Sequence, residues 1–268
     1  GKAVVLLLTP APGAPTPGGT PVSAPSPTPS PSASPSAGTS PTPAPRATLR
    51  PVVQAGAFTK ERVDFLFYAL DGEGRVDWVT VVALREDGCT ALSIPRNTLS
   101  GEKGTLMDAA GFRTLNRMLE QVFPVRFSRH VELQTEGIPA CVDAFGGVTL
   151  AGGHCDGAAA AKYVGLDGQD EMLRISRQQA FLGAYLRSLK SAGAVKLLAS
   201  KFTLQAYVDS DFTIGQIMEL YGVLSGYRLA DVTFATLPVD SVSVNGKRCY
   251  KPDIPLVNAI LQRLYPEE

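Results

Sequence analysis

Apolar positions along the chain follow two rhythms. Asp64 to Leu70 (DFLFYAL) and Trp78 to Leu84 (WVTVVAL) are short, dense runs rich in aromatic and β-branched residues, separated by a loop that begins Asp-Gly-Glu-Gly. Runs of that length predict buried strands, and the tight loop between them predicts a hairpin at the centre of a sheet. Asp87-Gly88 turns the chain into a third predicted strand, Cys89 to Ile94, which ends at Pro95. The rhythm then becomes helical: Leu115, Met118, Leu119 and Val122 share one face, Arg117 and Glu120 fall on the other, and Pro124 is the predicted stop. Phe127 to Leu133 predicts another strand, Thr135 a cap for a short helix through Ala144, and Gly146-Gly147 a turn that admits positive φ. Helices are predicted from Asp170 to Ser191, near Ala194 to Lys201 and from Thr213 to Leu224, with a hairpin around Asn245-Gly246. Alternating strands and helices predict an α/β fold, a three-layer α/β/α sandwich with a central mixed β-sheet.

Composition divides the chain. Of its 21 prolines, 14 fall at or before Pro51, and Thr9 to Pro45 contains only Pro, Ala, Ser, Thr, Gly and Val. Such a segment has nothing to bury; repeated Pro-Ser and Pro-Thr steps favour extended polyproline II, at about 3.1 Å per residue. Residues 9–51 are therefore expected to be a disordered Pro/Ser/Thr-rich linker, of a composition shared with glycosylated stalks, and residues 52–268 one domain with a substantial core. The first eight residues (GKAVVLLL) are far short of the roughly 20 that span a bilayer. They are expected to be the remnant of an N-terminal membrane anchor, a stray strand being the alternative.

Basic and acidic residues balance at 25 each, and no dense Lys/Arg run is present, which argues against a nucleic-acid partner. Cys89, Cys141, Cys155 and Cys249 include no Cys-x-x-Cys pair, so thiolate metal binding is disfavoured. Disulfides and free buried thiols both remain open for them.

Three groups of residues suggest chemistry. Asp71, Arg75 and Asp77 stand at the first strand-loop-strand junction, where two carboxylates offer the hard oxygen ligands that suit Mg²⁺; an ordinary solvated hairpin turn has the same look. In Ser93-Ile94-Pro95-Arg96-Asn97-Thr98 a strand delivers Arg96 at a sheet's end, where ligands of open α/β folds gather and where a guanidinium can bind phosphate bidentately. Arg174, Arg177 and Gln178 share a face of the long predicted helix and can present donors to an anion, or can lie on a solvated face. His130 and His154 are isolated, and His154-Cys155-Asp156 reads as a loop. No phosphate-cradling Gly-rich motif with a following Lys occurs.

Taken in order, ALDGEGRVDWVTVVAL, LSIPRNTL, DAFGGVTL, DGAAAAKYV and LRISRQQAF resemble successive motifs of the LytR-CpsA-Psr family. The resemblance covers roughly Asp64 to Ser191, with a family-like tail beyond. It implies an extracellular phosphotransferase that moves a cell-wall glycopolymer from a polyprenyl-pyrophosphate carrier to peptidoglycan, held at the outer face of the bacterial cytoplasmic membrane by a single-pass anchor. It also implies a lipid-binding apolar groove and Mg²⁺. By motif position Asp71 and Asp77 are similar to the metal-site aspartates, and Arg75, Arg96 and Arg174 to the catalytic arginines on the pyrophosphate, with Arg177 and Gln178 as substrate-binding candidates. Phosphoryl transfer relies on positioning and charge neutralisation, which such a set supplies.

The departures matter equally. After Tyr163-Val164 the family's Arg-x-Arg pair is replaced by Gly165 and Asp167, Asn97 follows Arg96 where the family has Asp, and Glu171 is the acid three residues before Arg174. Loss of two arginines at a charged transition state lowers turnover by orders of magnitude if each contributes a few kcal/mol. The alternative reading is a catalytically impaired polyprenyl-pyrophosphate-binding or regulatory protein of the same fold.

Overall fold

The structure is a computed structural model that describes residues 47–266 apart from 57, 60, 102, 103 and 166–169. The apolar start at 1–8, the linker as far as 46 and Asp167 lie outside the described residues. In chain order the elements are β1 (Val53–Ala55), β2 (Arg62–Leu70), β3 (Val76–Arg85), β4 (Gly88–Ser93), α1 (Phe112–Leu119), β5 (Val125–Phe127) and β6 (His130–Gln134). There follow α2 (Ile138–Ala144), β7 (Val148–Leu150), β8 (Gly153–Cys155), α3 (Gly157–Val164), α4 (Glu171–Ala192), α5 (Ala194–Leu204) and β9 (Val208–Ser210). The chain ends with α6 (Ile214–Gly226), β10 (Val232–Thr236), β11 (Val239–Val244), β12 (Lys247–Pro252) and α7 (Ile254–Leu264).

Six strands form the main sheet in the order β10-β4-β3-β2-β6-β9. The predicted β2–β3 hairpin is at its centre, because both strands are apolar on both faces and need cover from two sides. β2 pairs parallel with β6, β10 parallel with β4, and β3 runs antiparallel to both β2 and β4. The C-terminal ends of β2, β4, β6 and β10 therefore share one edge of the sheet.

The period of two sorts the side chains. Leu66, Tyr68, Val79 and Val81 face a core closed by Leu115 and Leu119 of α1 and Val257 and Leu261 of α7. Ala69 and Trp78 face the other way, against α2, α3 and α4, while Val63, Phe65, Val82 and Leu84 meet Phe212 and α6. The register Tyr68↔Val79 and Ala69↔Trp78 keeps each pair on one side. This is the expected α/β/α sandwich with a mixed sheet. Asn245 and Gly246, at φ 51° and 75°, make the predicted β11–β12 turn.

Four local expectations are corrected. The segment Phe127 to Leu133 is two strands: Asn116 binds the Phe127 backbone from both amide atoms, at 2.7 and 3.0 Å, and holds β5 on β1 before the chain bends into β6. α1 stops at Leu119, ahead of Pro124, and residues up to Phe123 continue as turns. Thr135 begins a 3-10 turn and caps nothing with its side chain. Gly153–Cys155 is a strand, and Asp156 caps α3 by accepting the Ala159 N–H at 2.8 Å.

Residues 47–51, counted with the linker on composition, are in part tied to α7: Asn258 accepts the Arg50 N–H at 3.1 Å and donates to the Thr48 carbonyl at 2.8 Å. All four cysteines are free thiols, and Cys89, Cys141 and Cys249 are buried. Among the described residues no helix is long and apolar enough to cross a membrane.

Candidate anion-binding site

The C-terminal edge of the parallel strands gathers most of the predicted residues. Asp71 follows β2, Asp77 lies at the start of β3, Arg96 follows β4, and Arg174 is on the first turn of α4. β4 ends at Ser93, two residues before Pro95, and beyond it the Arg96 N–H donates to Glu171 Oε1 at 3.0 Å. The Arg96 guanidinium pairs with Asp77 through Nη1. Arg174 Nη1 donates to Asp77 Oδ2 at 3.0 Å and to the Asp77 carbonyl at 2.6 Å, while its Nε and Nη2 bind Glu171 at 3.1 and 2.9 Å.

Asp77, Arg96, Glu171 and Arg174 thus form one cluster of two carboxylates and two guanidiniums. Glu171 and Arg174 are each only 8 % exposed at the side chain, so the solvated-face reading of this helix fails for Arg174 and for Gln178, which is 1 % exposed. The cluster sits at the N-terminal end of a 22-residue helix, whose dipole favours negative charge there. Asp170 caps that end, accepting the Met172 N–H at 2.8 Å.

Arg75 stands apart. It is half exposed and pairs with Asp71 at 2.9 Å and Glu73 at 3.0 Å, within the loop itself. Burial would raise the Asp71 carboxyl, but hydrogen bonds from the Arg75 and Glu73 N–H groups and the Arg75 guanidinium outweigh it and hold the group below the usual carboxylate range. Arg177 turns its guanidinium over the Tyr163 ring, 5.8 Å from the centroid.

Among the described residues, Arg96 Nε, Arg177 Nη1 and Gln178 Nε2 are buried donors with no hydrogen-bond partner. An unmet buried donor costs about 1–3 kcal/mol, more when charged, which an anionic ligand would recover. Asp77 accepts one guanidinium at each oxygen and keeps lone pairs in reserve, whereas Asp71 Oδ1 and Oδ2 accept two hydrogen bonds each. Among the described residues no group of three His, Cys, Asp or Glu forms a metal cage. Two carboxylates of this kind fit Mg²⁺ only where a ligand supplies the remaining oxygens.

α4 leads from this cluster into an apolar cavity of about 510 Å³. One turn past Gln178, Phe181 and Leu182 enter its wall, which continues through Phe67 and Leu133 of the sheet and Leu197 and Leu204 of α5. Trp78, next to Asp77, packs edge-on against Phe67 and Phe181, with ring centroids 5.1 and 6.2 Å away. Glu171 is the residue that sequence reasoning undervalued: it joins Arg96 to Arg174, and its i, i+3 spacing to Arg174 was the available signal. Gln179, which no sequence pattern singled out, ties the ends of β4 and β10 through Ser93 Oγ at 3.2 Å and the Ala235 carbonyl at 2.9 Å. Gly165 ends α3 at φ −92° and ψ 26°, leaving an uncharged position on the chain where the family pattern has arginine.

Comparison with known proteins adds to this geometry. Residues 152–265 match the LytR_cpsA_psr family. Over 172 residues the chain is 28% identical to the probable cell wall biosynthesis protein LcpB of Corynebacterium glutamicum, covering 54% of this chain and 42% of that one. The chain thus spans less than half the length of that curated relative. The fold is shared with B. subtilis TagV at a TM-score of 0.68 and 19% identity, covering 79% of this chain and 100% of that chain. It is shared with TagT bound to LIIa-WTA at 0.67 and 17%, covering 78% and 92%. An Enterococcus faecalis protein described as a transcriptional regulator has a TM-score of 0.64 at 18% identity, covering 76% and 88%. The C-terminal part of the chain thus matches the LytR_cpsA_psr family in sequence, and the domain shares its fold with TagV.

Proposed function

We propose that this domain binds a polyprenyl-diphosphate-linked cell-wall glycan and transfers the glycan phosphate to a peptidoglycan hydroxyl at the outer face of the cytoplasmic membrane. One observation carries the reading: Arg96 and Arg174 meet on Asp77 beside buried unpaired donors, on a helix that runs on into an apolar cavity. A diphosphate head and an isoprenoid tail match those two halves. Cell-wall relatives and the wall-polymer ligand named for TagT support the substrate class.

In the proposed mechanism the two guanidiniums turn from Asp77 to the diphosphate and neutralise charge as it builds on the leaving phosphate. Arg177 and Gln178 orient the same group. The acceptor oxygen attacks the sugar-linked phosphorus, the bond to the bridging oxygen breaks, polyprenyl phosphate departs with that oxygen, and the hydroxyl proton is lost to water. Asp71 and Asp77 would hold Mg²⁺ together with the ligand's own oxygens, and the ion would supply further charge neutralisation. Arg75, half exposed and paired with Asp71 and Glu73, is a further guanidinium that can turn to the diphosphate from the loop.

Gly165 favours a second reading, in which the ligand is bound and not turned over, because no side chain there replaces the missing arginine. A transfer assay with a lipid-linked glycan decides between them. Product above the Asp71→Ala background supports transfer; measurable binding with product at that background leaves the binding protein. Absence of any lipid-diphosphate binding defeats both.

A further inference from the structure

The helix that walls the cavity on its inside carries the opposite chemistry to a soluble helix on its outside. α5 turns Leu197 and Leu204 toward the cavity, yet Val195 is 84% exposed and Phe202 65%. These two are seven residues apart, so they lie on one stripe of the helix. Lys196 is exposed beside Val195. Ile214, at the start of α6, adds another apolar side chain at 46% exposure. Isolated exposed apolar residues are ordinary, but a Phe and a Val on one helical stripe flanked by lysine are the composition of a helix that rests in a lipid interface.

Charge supports the same occupant. Between Glu171 and Asp209 the chain holds six basic side chains and no acidic one, although the whole protein is neutral. Arg174 and Arg177 of that stretch belong to the anion-binding site, but α5 itself carries Lys196 and Lys201 and no acidic residue, so positive charge accompanies the exposed apolar stripe and suits an anionic surface. An aqueous protein partner explains neither the bias in sign nor its place on the outer wall of an apolar cavity.

We infer that α5, through Val195 and Phe202 with Lys196 beside them, docks this domain on an anionic lipid bilayer, setting the apolar cavity next to the hydrocarbon from which a tail would enter. The purpose rests on the lipid-diphosphate reading above; the docking is tested without it. The whole chain is mixed with vesicles of phosphatidylcholine, with and without phosphatidylglycerol, and bound protein is separated by flotation. The native chain floats with the anionic vesicles, and Val195→Ser with Phe202→Ser weakens that binding by at least about tenfold, given the apolar area withdrawn. Both arms carry the same N-terminal residues, so the difference belongs to α5.

A second reporter guards against a folding artefact. Trp78 is the only tryptophan and is buried, so Phe202→Trp adds an exposed probe whose emission shifts to the blue when anionic vesicles are added. Undiminished flotation of the double variant, or an unshifted emission, overturns the proposal. So does self-association of the native chain that the double variant abolishes without any vesicle binding, which would make a second copy the occupant. Geranylgeranyl diphosphate bound in detergent by the double variant, with flotation lost, separates docking from the ligand site. Lost diphosphate binding in Arg96→Ala with flotation intact would count against the ligand reading alone.

Discussion

Glu171 and Arg174, three residues apart on the first turn of α4, are joined by hydrogen bonds of 2.9 and 3.1 Å, and both side chains are almost wholly buried. Burial of such a pair is tolerable because each partner also reaches outward: Glu171 to the Arg96 N–H and Arg174 to Asp77. The pair fixes where α4 begins against the sheet edge, and with it the position of every donor proposed to meet the diphosphate.

Removing one partner leaves a buried charge. Glu171→Ala is expected to lower folding stability by about 3–5 kcal/mol, with Glu171→Gln costing less, as read from urea midpoints. A change below about 1 kcal/mol in the alanine variant would mean that the cluster does not hold the helix.

Arg96 is partly exposed and can be truncated with little risk to the core. Arg96→Ala is expected to weaken geranylgeranyl diphosphate binding by ~1.5–3 kcal/mol, about ten- to a hundredfold or more, measured by calorimetry. Arg96→Lys should recover only part, since an ammonium lacks the planar fork. Unchanged affinity in Arg96→Ala would remove this residue from the site.

The position of Gly165 admits a side chain at a small cost. Among the described residues a Cβ there meets the Ala161 carbonyl oxygen at 3.1 Å, a tight contact that the backbone must ease by a few tenths of an ångström, while the backbone φ of −92° is open to any L residue. Gly165→Arg should lower stability by about 1 kcal/mol or less. If the charge deficit limits turnover, adding Asp167→Arg raises product formation; a flat response in a folded double variant rejects that cause.

Magnesium by itself should leave the melting temperature unchanged, because Asp71 and Asp77 are already engaged by guanidiniums. With geranylgeranyl diphosphate present it should tighten binding severalfold, and Asp77→Asn should cancel that gain. Strong stabilisation by the ion alone would point to a preformed metal site.

Burial pushes the Cys89 thiol up to about 12 and the Cys141 thiol up to about 11, from an ordinary value of 9.0. Both are protonated in the folded state at pH 8 and should react with iodoacetamide only after unfolding. The same shifts set a pH window. Above pH 9 the unfolded chain releases these protons and the folded one retains them, so stability is full below that pH and falls as pH rises toward 11 to 12. Cys89→Ala with Cys141→Ala should flatten that decline in urea titrations, whatever it does to the baseline.

Much of the frame is legible in the sequence, for reasons that particular residues make plain. DFLFYAL and WVTVVAL are too short and too apolar to be anything but central strands, and Asn245-Gly246 admits the positive φ that its turn requires. The strand read through Phe127 to Leu133 failed because its bend depends on Asn116, a side chain from another element. Arg174 and Gln178 read as a solvated face by pattern alone, since a buried ion pair and a surface one share the same i, i+3 spacing.

The order of apolar runs, turns and motif residues determined the layered fold, the family resemblance and the residues worth watching, because local periodicity and backbone preference are written residue by residue. Only the tertiary structure decided that Asp77, Arg96, Glu171 and Arg174 meet as one neutral cluster, that Arg75 turns back to Asp71, and that α5 has a cavity on one side and exposed phenylalanine on the other. Charge pairing and burial are properties of distance between segments far apart in the chain, and distance is set by how the layers close.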